Sequence, residues 1–309
     1  MAATFENIVQ RVRQQLLGYT KDQAAISYLT QPMTAADITF MVDPGTVTKL
    51  SQGLVEIGDE MLLVRNYDRT TGVVNVMAGV NGRGAEGTVP AAHNLNDIVT
   101  SDPRYPKLRI KEAINDTIAA LYPDLWVFGQ TEFPYVASRY EYVLPGDVDN
   151  VYKVVANTVG PSAVWYPITK WRFNTMASTT PGQVKPTPTP TGKSIQIFDG
   201  VVPGRNIRVS YTKKPGVLVN NSDDFETITG YPERYIDMIT YGACWRMLPS
   251  YEAGRLQQQA IEATERAALV PVGAANSASQ YFLGLYTKRF NDERDRMFRL
   301  FENYQNFNS

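Results

Sequence analysis

The sequence has one cysteine, Cys244, and one histidine, His93, among 309 residues. A single thiol excludes an internal disulfide framework and any Cys-rich zinc module. A single imidazole removes most nucleophile-histidine-acid triads and His-based metal sites. Neither sign of charge is in excess, because 30 Lys and Arg face 31 Asp and Glu for a formal net charge of −1. That balance argues against whole-surface attraction to nucleic acid or an anionic membrane, while leaving room for a local patch. No apolar run approaches the ~20 residues that span a bilayer. The opening Met1-Ala2-Ala3-Thr4-Phe5-Glu6 has no basic stretch leading into an apolar one, so no signal peptide is expected.

What is present is the composition of a folded chain, 43% hydrophobic and 20% charged. Its length makes two domains the default. Phe5, Ile8, Val9, Val12 and Leu16 fall at helical spacing, with Thr4 able to cap the start and Gly18 to end it. A second short helix is expected over 22–29. From Ile38 the period becomes two, and short runs around 53–57, 60–64 and 73–76 predict a small antiparallel module ending near Thr100. Ser101-Asp102-Pro103 reads as a helix start, and Ile110, Ile114, Ile118 and Leu121 form the apolar stripe of that helix. Strands are then expected over 135–143, 151–158, 164–173, 194–198 and 206–212. Residues 179–191, rich in Pro and Thr, suit an extended loop of polyproline character. Helical patterns return after Pro232, over 252–269, and from Ser277 or Ser279 to about Tyr304.

These elements predict an α+β fold: a helical core of N-terminal, middle and C-terminal helices, with two inserted antiparallel β-modules. The expected segments are N-terminal helices over 1–30 and a small β-module over 31–100. A central helix over 101–129, a second β-module with its Pro/Thr-rich loop over 130–215 and C-terminal helices over 216–309 complete the order.

Candidate chemistry is sparse. Gly192-Lys193-Ser194 has the end of a phosphate-binding loop, but Thr187 stands where that motif needs glycine. The prolines ahead of it lack the N–H groups that cradle phosphate, so a turn into a strand is the better reading. Gly79 to Gly84 reads as a hairpin or loop rather than a dinucleotide fingerprint. His93 has Asp97 and Glu86 within reach in sequence but no nucleophile, which favours a loop residue bonded to backbone. Asp223-Asp224 suits a solvated loop entering a helix rather than a calcium loop. No catalytic, cofactor or metal site is expected.

The last helix says more. Phe282, Tyr286, Phe290, Met297, Phe301 and Tyr304 lie along one face, while Phe298 points away and Phe307 follows in a polar tail. Such a stripe either belongs to the core or is buried on a neighbouring subunit.

Several stretches resemble head-to-tail connector (neck adaptor) proteins of tailed bacteriophages. One is Asp102-Pro103-Arg104-Tyr105-Pro106 with Leu108 to Asn115 and Leu121-Tyr122-Pro123-Asp124-Leu125-Trp126. Others are Tyr140 to Pro145 with Asp147 to Val151, and Tyr231-Pro232-Glu233-Arg234-Tyr235. A fourth is Asn81-Gly82-Arg83-Gly84 with Gly87-Thr88 and Ala91-Ala92-His93, similar to a pattern of small β-modules in phage structural proteins. The resemblance implies a non-enzymatic virion protein of the neck, assembled in the host cytoplasm, with no cofactor and no membrane partner. It implies a homo-oligomeric ring, commonly dodecameric, below the portal and contacting tail or neck proteins, with DNA passing through without sequence-specific binding. It also implies that a C-terminal segment docks on the portal. Carried onto this chain, the partner-binding residues are Phe282, Tyr286, Phe290, Met297, Phe298, Phe301, Tyr304 and Phe307. The alternatives are a tail or capsid-decorating protein, or a carbohydrate-binding β-module using Trp165, Tyr166 and Trp171 as a stacking platform.

Overall fold

Between residues 25 and 101, alternation of inward Val, Leu and Ile with outward polar residues builds a six-stranded antiparallel sheet. The structure, a computed structural model, describes residues 3–17, 25–44, 52–79, 82–101, 103–139, 141–158, 164–175, 191–261 and 274–301. The strands are β1 (Ala25–Tyr28), β2 (Thr39–Met41), β3 (Gly53–Ile57), β4 (Glu60–Tyr67), β5 (Val73–Val76) and β6 (Ile98–Ser101), in the order β1-β6-β3-β4-β5-β2. Leu29 bridges Val42, and the Thr30 N–H donates to the Met41 carbonyl, so the two edges meet and the sheet curls into a barrel. Its interior holds Leu29, Met33, Phe40, Val42, Val55, Ile57, Leu62, Val64, Val74, Val76 and Val99. The β3–β4 hairpin turns through Gly58 and Asp59, and Gly58 takes a φ of 61°, where a side chain would be strained.

The chain divides into two compact units. The barrel belongs to the unit made of Asn7–Ile114 and Gly242–Gln280. In that unit α1 (Phe5–Leu17) buries Ile8, Val9 and Val12, and its Arg13 donates to Glu56 Oε1 at 2.6 Å. The other Glu56 oxygen accepts the Lys107 N–H at 2.8 Å, at the start of α2 (Lys107–Ala120). A carboxylate there satisfies one of the free N–H groups of the first turn and complements the positive end of the helix. Helix α2 therefore starts later than Ser101-Asp102-Pro103 suggested, and Ser101 closes β6 instead. Cys244, in α4 (Ile236–Ile261), is fully buried, and that burial pushes its thiol up to about 12.

The other unit comprises Met1–Glu6, Asn115–Tyr241 and Tyr281–Ser309. Two antiparallel sheets share one core here. The four-stranded sheet runs β10 (Trp165–Pro167), β9 (Val148–Asn157), β13 (Asn206–Lys213), β7 (Val127–Pro134). The three-stranded sheet runs β11 (Trp171–Asn174), β12 (Ser194–Ile197), β8 (Glu141–Val143). Tyr142, Val154, Ile168, Ile195, Val209 and Tyr211 are among the buried side chains. Phe133 stacks on Tyr142 with ring centres 4.5 Å apart. The Tyr142 hydroxyl accepts from the Val136 N–H and donates to the Val136 carbonyl, which fixes the loop after β7. After β13 the chain is held by the Asn115 side chain, which donates to the Leu218 carbonyl (2.9 Å) and accepts its N–H (3.2 Å). Leu218 is buried. Asn115→Ala is expected to cost about 1–3 kcal/mol, because both backbone groups lose their partner. Urea unfolding monitored by tryptophan fluorescence checks it; an unchanged midpoint would refute the clamp. Asp224 then caps the short α3 (Phe225–Thr229) by accepting the Thr227 N–H, as a loop acid entering a helix does.

The fold is α+β with antiparallel sheets, as expected, and the expected helical core is matched only in part, because most of the architecture is β. Two packed interiors are lined by strands and their turns, because a sheet that curls or stacks buries a whole face. Helices α1 and α2 each bury one stripe, whereas α4 buries nearly every side of its first turns, from Ile236 to Leu248. Residues 25–28 form a strand rather than part of a helix, since exposed Ile26 and Tyr28 alternate with buried Ser27 and Leu29. The strand expected over 135–143 is a turn followed by β8, and the preceding β7 was not expected. The 164–173 run splits into β10 and β11 in different sheets. Helix α4 continues through Pro249 to Ile261, and residues 262–269 of the helix expected over 252–269 lie outside the described residues. So does the Pro/Thr-rich loop except Thr191. Gly192-Lys193-Ser194 is a turn into β12, with Gly192 at a φ of 69°.

Candidate functional site

The aromatic stripe lies on α5 (Ala274–Phe301), and the structure divides it. Met297 is only 7% exposed, and its sulfur accepts the Trp126 N–H at 3.5 Å. Phe282 stacks against Tyr241 with centres 6.3 Å apart. Tyr286 and Phe290 stack on each other at 6.0 Å, with the Arg294 guanidinium over Phe290 at 5.8 Å. Glu293, which breaks the stripe in the sequence, accepts from Arg234 at 2.9 Å and is largely buried. The contacts of Met297, Phe282 and Glu293 tie the part of α5 from Tyr281 onward to other elements of the two-sheet unit.

Phe298 differs. It is 48% exposed and meets Trp126 only edge-on, at 6.2 Å and 86°. The Phe301 side chain, Tyr304 and Phe307 lie outside the described residues. On the solvent side of α5, Lys288, Arg289, Asp292, Asp295, Arg296 and Arg299 are all exposed.

A second cluster sits in the barrel. The Arg83, Thr88 and His93 of the motif read from the sequence converge with Glu60, which sequence reasoning missed. Arg83 donates through Nε to Glu60 Oε1 (2.7 Å) and through Nη2 to Oε2 (2.9 Å). The N–H groups of Gly84 and Ala91 and the ring Nε2 of His93 complete the shell at 3.1, 3.0 and 2.8 Å. Arg83 uses its other donors on the carbonyls of Thr34, Asp37 and Ala91. Thr88 accepts the Met61 N–H and donates to Ala85. Burial pushes the Glu60 carboxyl up, but hydrogen bonds from His93, Arg83, Ala91 and Gly84 outweigh it and hold it at about 2. Glu60 is 1% exposed and every contact is internal, so the geometry is that of a fastening rather than a site open to substrate. His93 bonds to this carboxylate as well as through its backbone to Met33, so the backbone-only expectation is extended.

The stacking platform is not assembled. Trp165 has the Arg208 guanidinium 4.0 Å above its ring, and Tyr166 and Trp171 pack against the core from different sheets. Among the described residues, no group of three or more His, Cys, Asp or Glu is placed to hold a metal.

A family model described as SU10 adaptor protein matches residues 90–297. The chain belongs to this family. The match spans well over half the chain, taking in α2, the two-sheet unit, α4 and most of α5, whereas β1 to β5 of the barrel precede it. No curated protein matches. An SU10-type adaptor is a structural protein of a bacteriophage and a component of the virion, which agrees with a non-enzymatic role. Among the described residues no helix is long and apolar enough to cross a membrane.

Proposed function

We propose that this adaptor forms a homo-oligomeric ring in the phage neck, between portal and tail, and that its C-terminal segment docks on portal subunits. DNA passes through the ring without sequence-specific contacts. The observation that carries the docking assignment is Phe298: a half-exposed aromatic on a helix whose other face is already anchored by Met297, Phe282 and Glu293. Exposed aromatics of this kind are energetic anchors when a partner covers them. Phe298 leads the docking set, and Phe301, Tyr304 and Phe307 follow it in sequence. Phe282 and Met297 hold the helix in place, while Tyr286 and Phe290, stacked on each other, stay in the docking set.

Two measurements test this. Virions carrying a labelled copy, imaged in negative stain, are expected to show label at one vertex only. Label spread over the capsid or confined to the distal tail would favour a decorating or tail role and defeat the neck reading. Phe298→Ser is expected to weaken capture by purified portal about 10- to 100-fold, the value of burying one Phe side chain, with an unchanged circular dichroism spectrum. Equal capture by both forms would remove Phe298 from the interface.

A further inference from the structure

The solvent face of α5 carries Asp292, Asp295, Arg296 and Arg299, which together line one open concavity. All four are exposed, and among the described residues no ion pair or side-chain hydrogen bond joins them to one another, although Arg296 acts electrostatically on Tyr235. Asp292 and Arg296, like Asp295 and Arg299, stand four apart and are neighbours on the helix surface, yet no ion pair joins either couple among the described residues, and Asp295 and Arg296, adjacent in sequence, do not face each other. Asp292 and Arg299 are two turns apart, about 10 Å along the axis, too far to touch. The order of charges is nevertheless regular. About a midpoint between residues 295 and 296, each acid is mirrored by a base: Asp295 by Arg296, and Asp292 by Arg299.

We propose that this face pairs with the same face of a second copy of the chain, with the two α5 helices antiparallel about a two-fold axis between residues 295 and 296. In that arrangement Asp292 meets the second copy's arginine at 299, and Asp295 meets its arginine at 296. The symmetry repeats both, so all eight charges find opposite partners and none meets its own sign. The surface is self-complementary, as an isologous contact requires. The apolar side of α5 is turned the other way and is occupied by Trp126 and Tyr241 contacts, so the charges alone select this register. Exposed pairs are individually weak and are screened by salt, so the contact is reversible. It closes at two copies and cannot propagate around a ring. It is therefore a form of the free protein that precedes assembly, and it does not depend on portal docking being correct.

Sedimentation of the full-length protein tests the proposal across concentration. A dimer is expected at low salt, giving way to monomer near 1 M salt. Asp292→Arg places like charges together twice and is expected to raise the dissociation constant about tenfold or more. The exchange D292R/R299D restores opposite pairs in the antiparallel register only, and is expected to return the dimer to near its original affinity. A parallel arrangement staggered by one turn would instead put 292 against 296 and 295 against 299, and the exchange would make it worse. A wild-type chain that is monomeric at low salt, a dimer indifferent to Asp292→Arg, or an exchange variant weaker than the single one would each overturn the proposal. Failure of portal capture with the dimer intact would count against the docking reading alone.

Discussion

Glu60→Ala is expected to destabilise the barrel by about 3–5 kcal/mol, the cost of leaving a buried charged partner without its mate. Arg83 would keep its carbonyl partners but lose both bonds to the carboxylate, and the N–H groups of Gly84 and Ala91 would lose their acceptors. With its oxygens gone, the loop from Arg83 to His93 loses the tie to β4. The measurement is urea unfolding with hydrogen exchange over residues 82–101; barrel amides as protected as in the wild type would show that the loop is held some other way. Acid should act through the same group. Glu60 titrates at about 2 in the folded protein against an ordinary 4.5. A depressed folded value means the stabilisation is complete above about pH 4.5 and is lost as pH falls from there toward 2. The Glu60→Gln form should be flatter through that window.

The second large effect is expected at Gly230. This residue ends α3 with a φ of 76°, and a Cβ there would lie 2.3 Å from Val127 Cγ1. Gly230→Ala therefore combines left-handed backbone strain of about 1–2 kcal/mol with overpacking of about 1–3 kcal/mol against the first residue of β7. Val127 is buried, and the neighbouring Tyr231 donates its hydroxyl to the Leu125 carbonyl, so neither side has room to withdraw. Thermal unfolding of the variant is the check. A melting temperature equal to the wild type would mean that β7 yields more easily than its packing indicates.

The two units differ in how much their sequences disclose. Helix α1 was legible from Phe5, Ile8, Val9 and Val12 with Thr4 ahead of it, because a one-sided stripe has a period that can be counted. Strands β3 to β5 were legible for the same reason, as β-branched runs between turn residues. Residues 25–28 were not, since four residues are too few to separate a period of two from one of 3.6. The start of α2 was misplaced because its N-terminal acceptor is Glu56, half a hundred positions away, and no local pattern signals it. Glu60 escaped notice likewise: it sits in an ordinary hairpin, and only the return of Arg83 and His93 in space gives it meaning. On α5 the aromatic spacing was readable, but whether Met297 or Phe298 meets solvent depends on where Trp126 lies.

Strand β6 sits between β1 and β3, yet it falls after residue 90, where the family match begins. A chimera cut at that point would inherit the sixth stave of a cask without the other five. It would also receive Ala91 and His93 stripped of the acid they clasp. Anyone grafting this adaptor onto another scaffold must make the splice ahead of α1, so that Arg13 keeps its hold on Glu56, and carry the whole barrel across.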